Sequence, residues 1–415
     1  MKQRWWLGLL IVVMGFGTIN PLACYAQEAE ADADESEEME EGTAQQVERR
    51  PLMEEKERAE LAAYLREQYS KPVEEWPPME VDDDVDAREL GMLPKPPFPE
   101  ENPYSKEKAE LGMMLFFEPR LSGSQQISCA SCHDPDMGWA ENRRVSFGVH
   151  RKTLQRNAPS ILNTAYQSAF FHDGRAATLE QQAQMVIMDP DEMAGNPQQI
   201  VERLQKEPVY QEKFAAAFPE EKEDVVNFGN VLRAIATFER TVISKGSRFD
   251  AFLSGKHDAL SDAAIRGLHL YRTTAGCMNC HHGPNFDDDK FHDIGLSYYG
   301  RKFQDLGRYE ITKKPEDVGA FRTPTLRNIA ATEPYMHLGL FQLRQVLNLY
   351  NAGMPTLRPK PEQENDPLFP IKSKHLRPLG LNGQDLLDLE AFMLSLTDRP
   401  RRIYPPELPP IVSEE

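Results

Sequence analysis

The sequence predicts a mostly α-helical chain folded as two domains, and three observations predict it. Apolar residues recur at helical spacing over several stretches, no stretch sustains strand alternation, and a five-residue pattern, C-x-x-C-H, occurs twice about 150 residues apart. At 415 residues the chain can support two hydrophobic cores.

Each pattern follows a helical stretch. SKEKAELGMMLFFEPRL carries Leu111, Met114, Leu115 and Leu121, and DAAIRGLHLYRTTAG carries Ile265, Leu268 and Tyr271. Further helices are expected over 225–243, 340–350 and 386–396, with Pro- and Gly-bearing loops between them. Upstream, PLMEEKERAELAAYLREQYSKPVEEWPP predicts one helix that ends before Pro72, because a proline restricts the residue before it. That segment reads as a surface helix or docking arm, and nothing in it points to a site.

The first residues, MKQRWWLGLLIVVMGFGTINPLACYAQ, have a basic start, an apolar core of export length and small residues near a cleavage point. This is the pattern of a signal peptide over 1–26 rather than of a membrane-spanning helix. Cys24 offers a lipid-anchor alternative, which Pro21 disfavours. The expected location is the periplasm.

Ten acidic and no basic residues fall between Gln27 and Glu48. Such a segment buries too little apolar surface to offset its ordering entropy, so 27–50 reads as an acidic disordered tail. The net charge of −19 argues against nucleic acid as a partner. The remaining divisions are an arm over 51–96, domains over 97–244 and 245–400, and a C-terminal tail over 401–415.

Oxidising compartments favour disulfides, yet apart from Cys24 the cysteines all lie in the two repeated patterns, CASCH (Cys129, Cys132, His133) and CMNCH (Cys277, Cys280, His281). C-x-x-C-H is the attachment signature of c-type haem. Two thiols three residues apart on a helical turn reach one porphyrin edge, and the histidine that follows is directed at the iron. A redox dithiol or half a zinc site would leave both histidines unexplained. The expectation is two covalently bound haem c groups, one in each cytochrome c-like domain. At this level the chain is either an enzyme or a non-enzymatic electron carrier or peroxide sensor.

The surroundings of the patterns sharpen this reading. LGMMLFFEPRLSGSQQISCASCH, RNAPSILNTAYQSAFFHDGRAATLEQQA, GCMNCHHGPNF and FRTPTLRNIAATEPYMH together resemble the bacterial di-haem cytochrome c peroxidase family, which includes the MauG-type proteins. The likeness runs from about Pro97 to Pro400 and leaves out the N-terminal arm. It implies that hydrogen peroxide reacts at the His133 haem while the His281 haem passes or stores electrons. It also implies a catalytic glutamate, Glu192 in MDPDEMA, suited to moving a proton between the two peroxide oxygens.

The same resemblance implies a calcium ion held by the Asn157 side chain and the carbonyls of Thr332 and Pro334, hard oxygen donors that suit that ion. His150 is a candidate distal ligand of the first haem, although it sits one position nearer the Arg156–Asn157 pair than the relatives suggest. One departure stands out. Where relatives carry FWDGR between the haems this chain reads FFHDGR, with His172 in place of an indole that can relay electrons.

For the far side of the second haem, Met336, Tyr350 and Met354 compete. A thioether raises the reduction potential and suits electron entry, whereas a phenolate lowers it and stabilises oxidised iron. Counted along the helix after EPYMHLG, Tyr350 falls at the position where the resemblance implies the ligand, Met354 lies one turn further on, and Met336 reads as core filling. The implied partners are hydrogen peroxide and either a small redox protein (a cytochrome c or cupredoxin) or a protein whose side chains are oxidised. The resemblance also admits a homodimer.

Overall fold

The computed structural model describes residues 47–244, 246–398 and 403–410. The expected export segment 1–26, with Cys24, and residues 27–46 of the acidic tail lie outside the described residues.

The first half contains α2 (Lys106–Phe116), α3 (Leu179–Met188), α4 (Pro197–Gln205), α5 (Pro208–Ala217) and α6 (Phe228–Glu239). It is preceded by α1 (Glu55–Tyr69). The second half contains α7 (Arg248–Leu253), α8 (Asp262–Arg272), the four-residue α9 (Tyr309–Thr312), α10 (Leu343–Asn351) and α11 (Gly383–Ser395). Two three-residue strands, β1 (Phe291–Asp293) and β2 (Ala320–Arg322), pair antiparallel with Phe291 opposite Arg322. The protein is mostly helical.

The helices carry local start signals. Ser105, Thr178, Asn227 and Ser261 each accept a main-chain N–H from the first turn of α2, α3, α6 and α8. The helix expected over 225–243 is shorter. It ends at Glu239, and the β-branched run that follows ties a loop instead, with Val242 O accepting from Asn163 N at 3.0 Å. Likewise α10 begins at Leu343 rather than at Leu340, because Tyr335 and Phe341 pair as an isolated bridge just before it.

Two hydrophobic cores result. Leu111, Leu115, Phe116, Ile235 and Phe238 centre the first, and Ile265, Leu268, Tyr271, Phe286 and Phe392 centre the second. Full burial of each such side chain contributes about 1.5–3 kcal/mol. Each core is organised by a helix pair meeting at a glycine. A Cβ on Gly112 of α2 would lie 1.9 Å from Ala234 O of α6, and one on Gly267 of α8 would lie 1.9 Å from Asp388 O of α11. Both C-x-x-C-H patterns follow the glycine-bearing member of their pair.

The segment expected as a surface helix or docking arm is built into the second core. Leu65, Tyr69, Trp76 and Leu90 are buried there, and Arg58 and Arg266 grip the two oxygens of Asp388. The C-terminal residues return to the first half, where Arg120 Nη2 donates to the carbonyls of Pro409 and Pro410 at 3.0 and 2.8 Å.

Candidate active site

Both C-x-x-C-H patterns fold as a single 3-10 turn, Cys129–Ser131 and Cys277–Asn279. The histidine closes the turn, with His133 N donating to Cys129 O at 3.0 Å and His281 N to Cys277 O at 2.8 Å. Nδ1 of His133 donates to Trp139 O at 3.3 Å and Nδ1 of His281 to Phe286 O at 3.0 Å. A carbonyl only accepts, so each Nδ1 carries the proton and each Nε2 keeps its lone pair. Burial lowers both imidazole pKa values, that of His133 to about 4, so both rings are neutral at physiological pH.

The walls support this arrangement. Phe116 packs edge-on against Trp139 and tilted over His133, while Tyr271 Oη donates to His281 O at 2.5 Å. Both triads open on one cavity of about 880 Å³ whose lining is largely apolar. Paired thiols, a neutral imidazole with its Nε2 free and an apolar slot are what a covalently held haem requires, and the structure supplies the set twice.

Glu192 lies on the turn after α3 and on the cavity wall. Its N–H is held by Asp189 O at 3.2 Å, and its own carbonyl accepts from Val149 N at 2.8 Å. Burial, reinforced by the negative charge of Asp189, pushes its carboxyl up to about 7. Its charge is felt at Cys132, which sets it at the first motif's end of the cavity.

Tyr350, on α10, lines the same cavity and lies close enough to Cys280 and Cys277 to interact with their charge; burial pushes its phenol well up. Met336 is also on the wall, whereas Met354 is buried, 5% exposed, and lies off it. His150 is exposed, in a left-handed backbone conformation at φ 54°, and the structure does not bring it to the cavity.

Asn157, Thr332 and Pro334 line one cavity together. Asn157 Nδ2 donates to Arg143 O at 2.5 Å, which leaves Oδ1 as its acceptor. His172 is on the wall as well, and its Nε2 donates to Asn157 O at 2.9 Å. Burial lowers its pKa to about 4. Beside it His337, itself neutral, stacks on Phe321 with centroids 3.9 Å apart.

Three further groups on this wall escaped the sequence reading. Glu239 is 4% exposed, and burial raises its carboxyl to about 8. His337 has a buried Nε2 without a partner. His292 loses by burial but gains more from Asp288, 2.8 Å away, and from the Cys280 thiol, so with that thiol free its pKa rises to about 10. Only His292 had a local signal, an aspartate four residues earlier; the other two become wall residues through tertiary packing.

The family model described as di-haem cytochrome c peroxidase matches residues 106–258. The methylamine utilization protein MauG of Methylorubrum extorquens is 39% identical over 318 residues, which is 75% of this chain and 84% of that protein. The cytochrome c551 peroxidase of Nitrosomonas europaea is 39% identical over 238 residues, 57% of this chain and 70% of its own. Among solved structures, a MauG-like protein associated with microbial copper homeostasis aligns with a TM-score of 0.67 and 33% identity, covering 77% of this chain and 96% of that one.

Proposed function

The chain belongs to the di-haem cytochrome c peroxidase family, which includes the MauG proteins, and from that premise we propose an exported enzyme that uses peroxide at its first haem site and shares the oxidising equivalents with its second. Cys129 and Cys132 would anchor the first haem c, with His133 on its iron, in a domain over 97–244. Cys277, Cys280 and His281 would do the same for the second in a domain over 245–400. When bound, the first haem supplies an iron that takes up peroxide and exchanges its electrons.

Glu192 provides the proton traffic. With its carboxyl near 7 it can take a proton from one oxygen of peroxide and hand it to the other. Two electrons and two protons convert one peroxide to two waters.

Tyr350 is proposed as the protein ligand of the second haem, because its phenol lies close enough to Cys280 and Cys277 to interact with them, whereas Met354 lies off the cavity wall and Met336 packs against the second core. An anionic oxygen donor would hold the second site oxidised, favouring a MauG-like role in which a partner protein is oxidised. Asn157 Oδ1 and the carbonyls of Thr332 and Pro334 are proposed to hold a calcium ion. The observation that carries the reading is the single cavity joining both triads, with Glu192 at one and Tyr350 at the other.

Electron paramagnetic resonance of the haem-loaded protein, at rest and after peroxide, tests it. Tyr350→Phe should change the second haem's low-spin signal and Met354→Ala should leave it intact; the reverse pattern rejects Tyr350. Turnover with reduced cytochrome c, set against oxidation of a partner protein, separates the two roles.

A further inference from the structure

We propose that Tyr69 is a redox-active tyrosine with His269 as its built-in proton acceptor, forming an exit for oxidising equivalents from the second haem site into the N-terminal arm. The inference rests on the reading that peroxide supplies those equivalents.

Tyr69 is the last residue of α1 and is 1% exposed. Its hydroxyl lies 2.9 Å from Nδ1 of His269 on α8 and accepts from Arg272 Nη1 at 3.1 Å. The arginine only donates, so the phenolic proton points at His269. Burial and the Arg272 charge hold the His269 pKa below its usual value, against Glu80, so the ring is neutral and able to accept. His269 is half-buried, which gives its proton a way back to water.

A phenol that loses an electron must also shed its proton, and burial makes that possible only where a base is within hydrogen-bond reach. Among the described residues no other buried tyrosine has an imidazole as its partner. Tyr271 donates to the main-chain oxygen of His281, which cannot take a proton, and Tyr335 donates to that of Ile329 with the Glu333 carboxylate also in reach. Tyr210 donates to Glu118, whose carboxylate is already bound by Arg120.

The surroundings connect Tyr69 in both directions. On the inner side Tyr69 shares the second core with Tyr271, which interacts with Cys277, Cys280 and Tyr350. On the outer side the Tyr69 ring meets Trp76 edge-on at 5.0 Å. The Arg272 guanidinium lies 5.3 Å from the Tyr69 ring and 5.2 Å from the Trp76 ring. Its charge opposes a cation on the indole, so the hole settles on Tyr69 as a neutral radical.

In the step, Tyr69 gives one electron to the oxidised second site. Its O–H bond breaks and an N–H bond forms at His269 Nδ1, leaving a tyrosyl radical and an imidazolium. One electron from an external reductant (a small redox protein or an oxidisable protein side chain) restores the phenol as the proton returns. Two such cycles balance one peroxide.

The test is freeze-quench electron paramagnetic resonance of the haem-loaded full chain, oxidised in parallel by peroxide and by flash-quenched ruthenium tris-bipyridine. A tyrosyl signal that is lost in Tyr69→Phe and strongly reduced in His269→Gln is expected, with haem absorption unchanged and cooperative unfolding retained in both variants. A tyrosyl signal that persists in Tyr69→Phe, or that neither oxidant produces, overturns the assignment. A Tyr69 radical formed by the light-driven oxidant, while peroxide leaves the haem signals untouched, supports this site and rejects the peroxide reading instead.

Discussion

His172 and Asn157 are joined by a 2.9 Å hydrogen bond from the imidazole Nε2 to the main-chain oxygen. The bond ties the FFHDGR loop to the segment that carries the candidate calcium ligand, and it holds a neutral ring on the cavity wall. The folded pKa of about 4 lies below that of a free histidine, so between pH 6.5 and 4 the unfolded chain binds a proton that the folded chain does not. Stability contributed by the neutral ring is therefore present above pH 6.5 and is lost as the pH falls toward 4, by roughly 3 kcal/mol at most. In His172→Gln, which keeps a donor for Asn157, the melting temperature should fall less steeply across that window. Some slope remains because His337 titrates below it. An unchanged slope would show that His172 is not the group responsible.

Glu192 sets a second pH dependence. Its carboxyl near 7 must be ionised to act as the base, so the peroxide reaction should quicken as pH rises through 7 and level off above it. Glu192→Gln should slow the reaction by about 10²–10⁴-fold and remove that limb, while leaving haem attachment intact. Stopped-flow haem absorbance from pH 5 to 9 measures both.

Much of this was legible in the sequence because it is local. The C-x-x-C-H turns and the helices before them are each written within a few residues, whereas Glu192 is picked out by the family resemblance and not by its local sequence. What escaped depends on distant partners. Glu239 reads as one more acid at a helix end until α6 is turned to face the cavity. The arm, with its charged helix, reads as surface until Arg58 is seen on Asp388, 330 residues away. Met354 and Tyr350 are four residues apart, and only the backbone turn at Met354, φ 60°, explains why one reaches the cavity wall and the other does not.

The helix pairs are tolerant of little. On Gly267→Ala the new methyl would meet Asp388 O at 1.9 Å, a main-chain atom that cannot rotate away. Forcing α8 from α11 should cost about 3 kcal/mol or more, at or beyond the upper end for overpacked cores. Thermal unfolding followed at the second haem should show the loss, and Gly112→Ala should do the same to the first half through Ala234.

Asp388 supplies the last prediction. Its carboxylate is 3% exposed at the side chain and accepts from Arg266 at 2.8 and 3.0 Å and from Arg58 at 3.0 Å. Removing it leaves two guanidinium groups buried beside one another without a counter-charge, a situation that costs about 3–5 kcal/mol. Asp388→Ala should therefore destabilise the second half and free the arm, seen as faster proteolytic cleavage within 55–69. Adding Arg58→Met removes one of the stranded charges and should restore part of the loss. If the double variant is no more stable than Asp388→Ala, the penalty comes from packing at α11 rather than from the stranded charge.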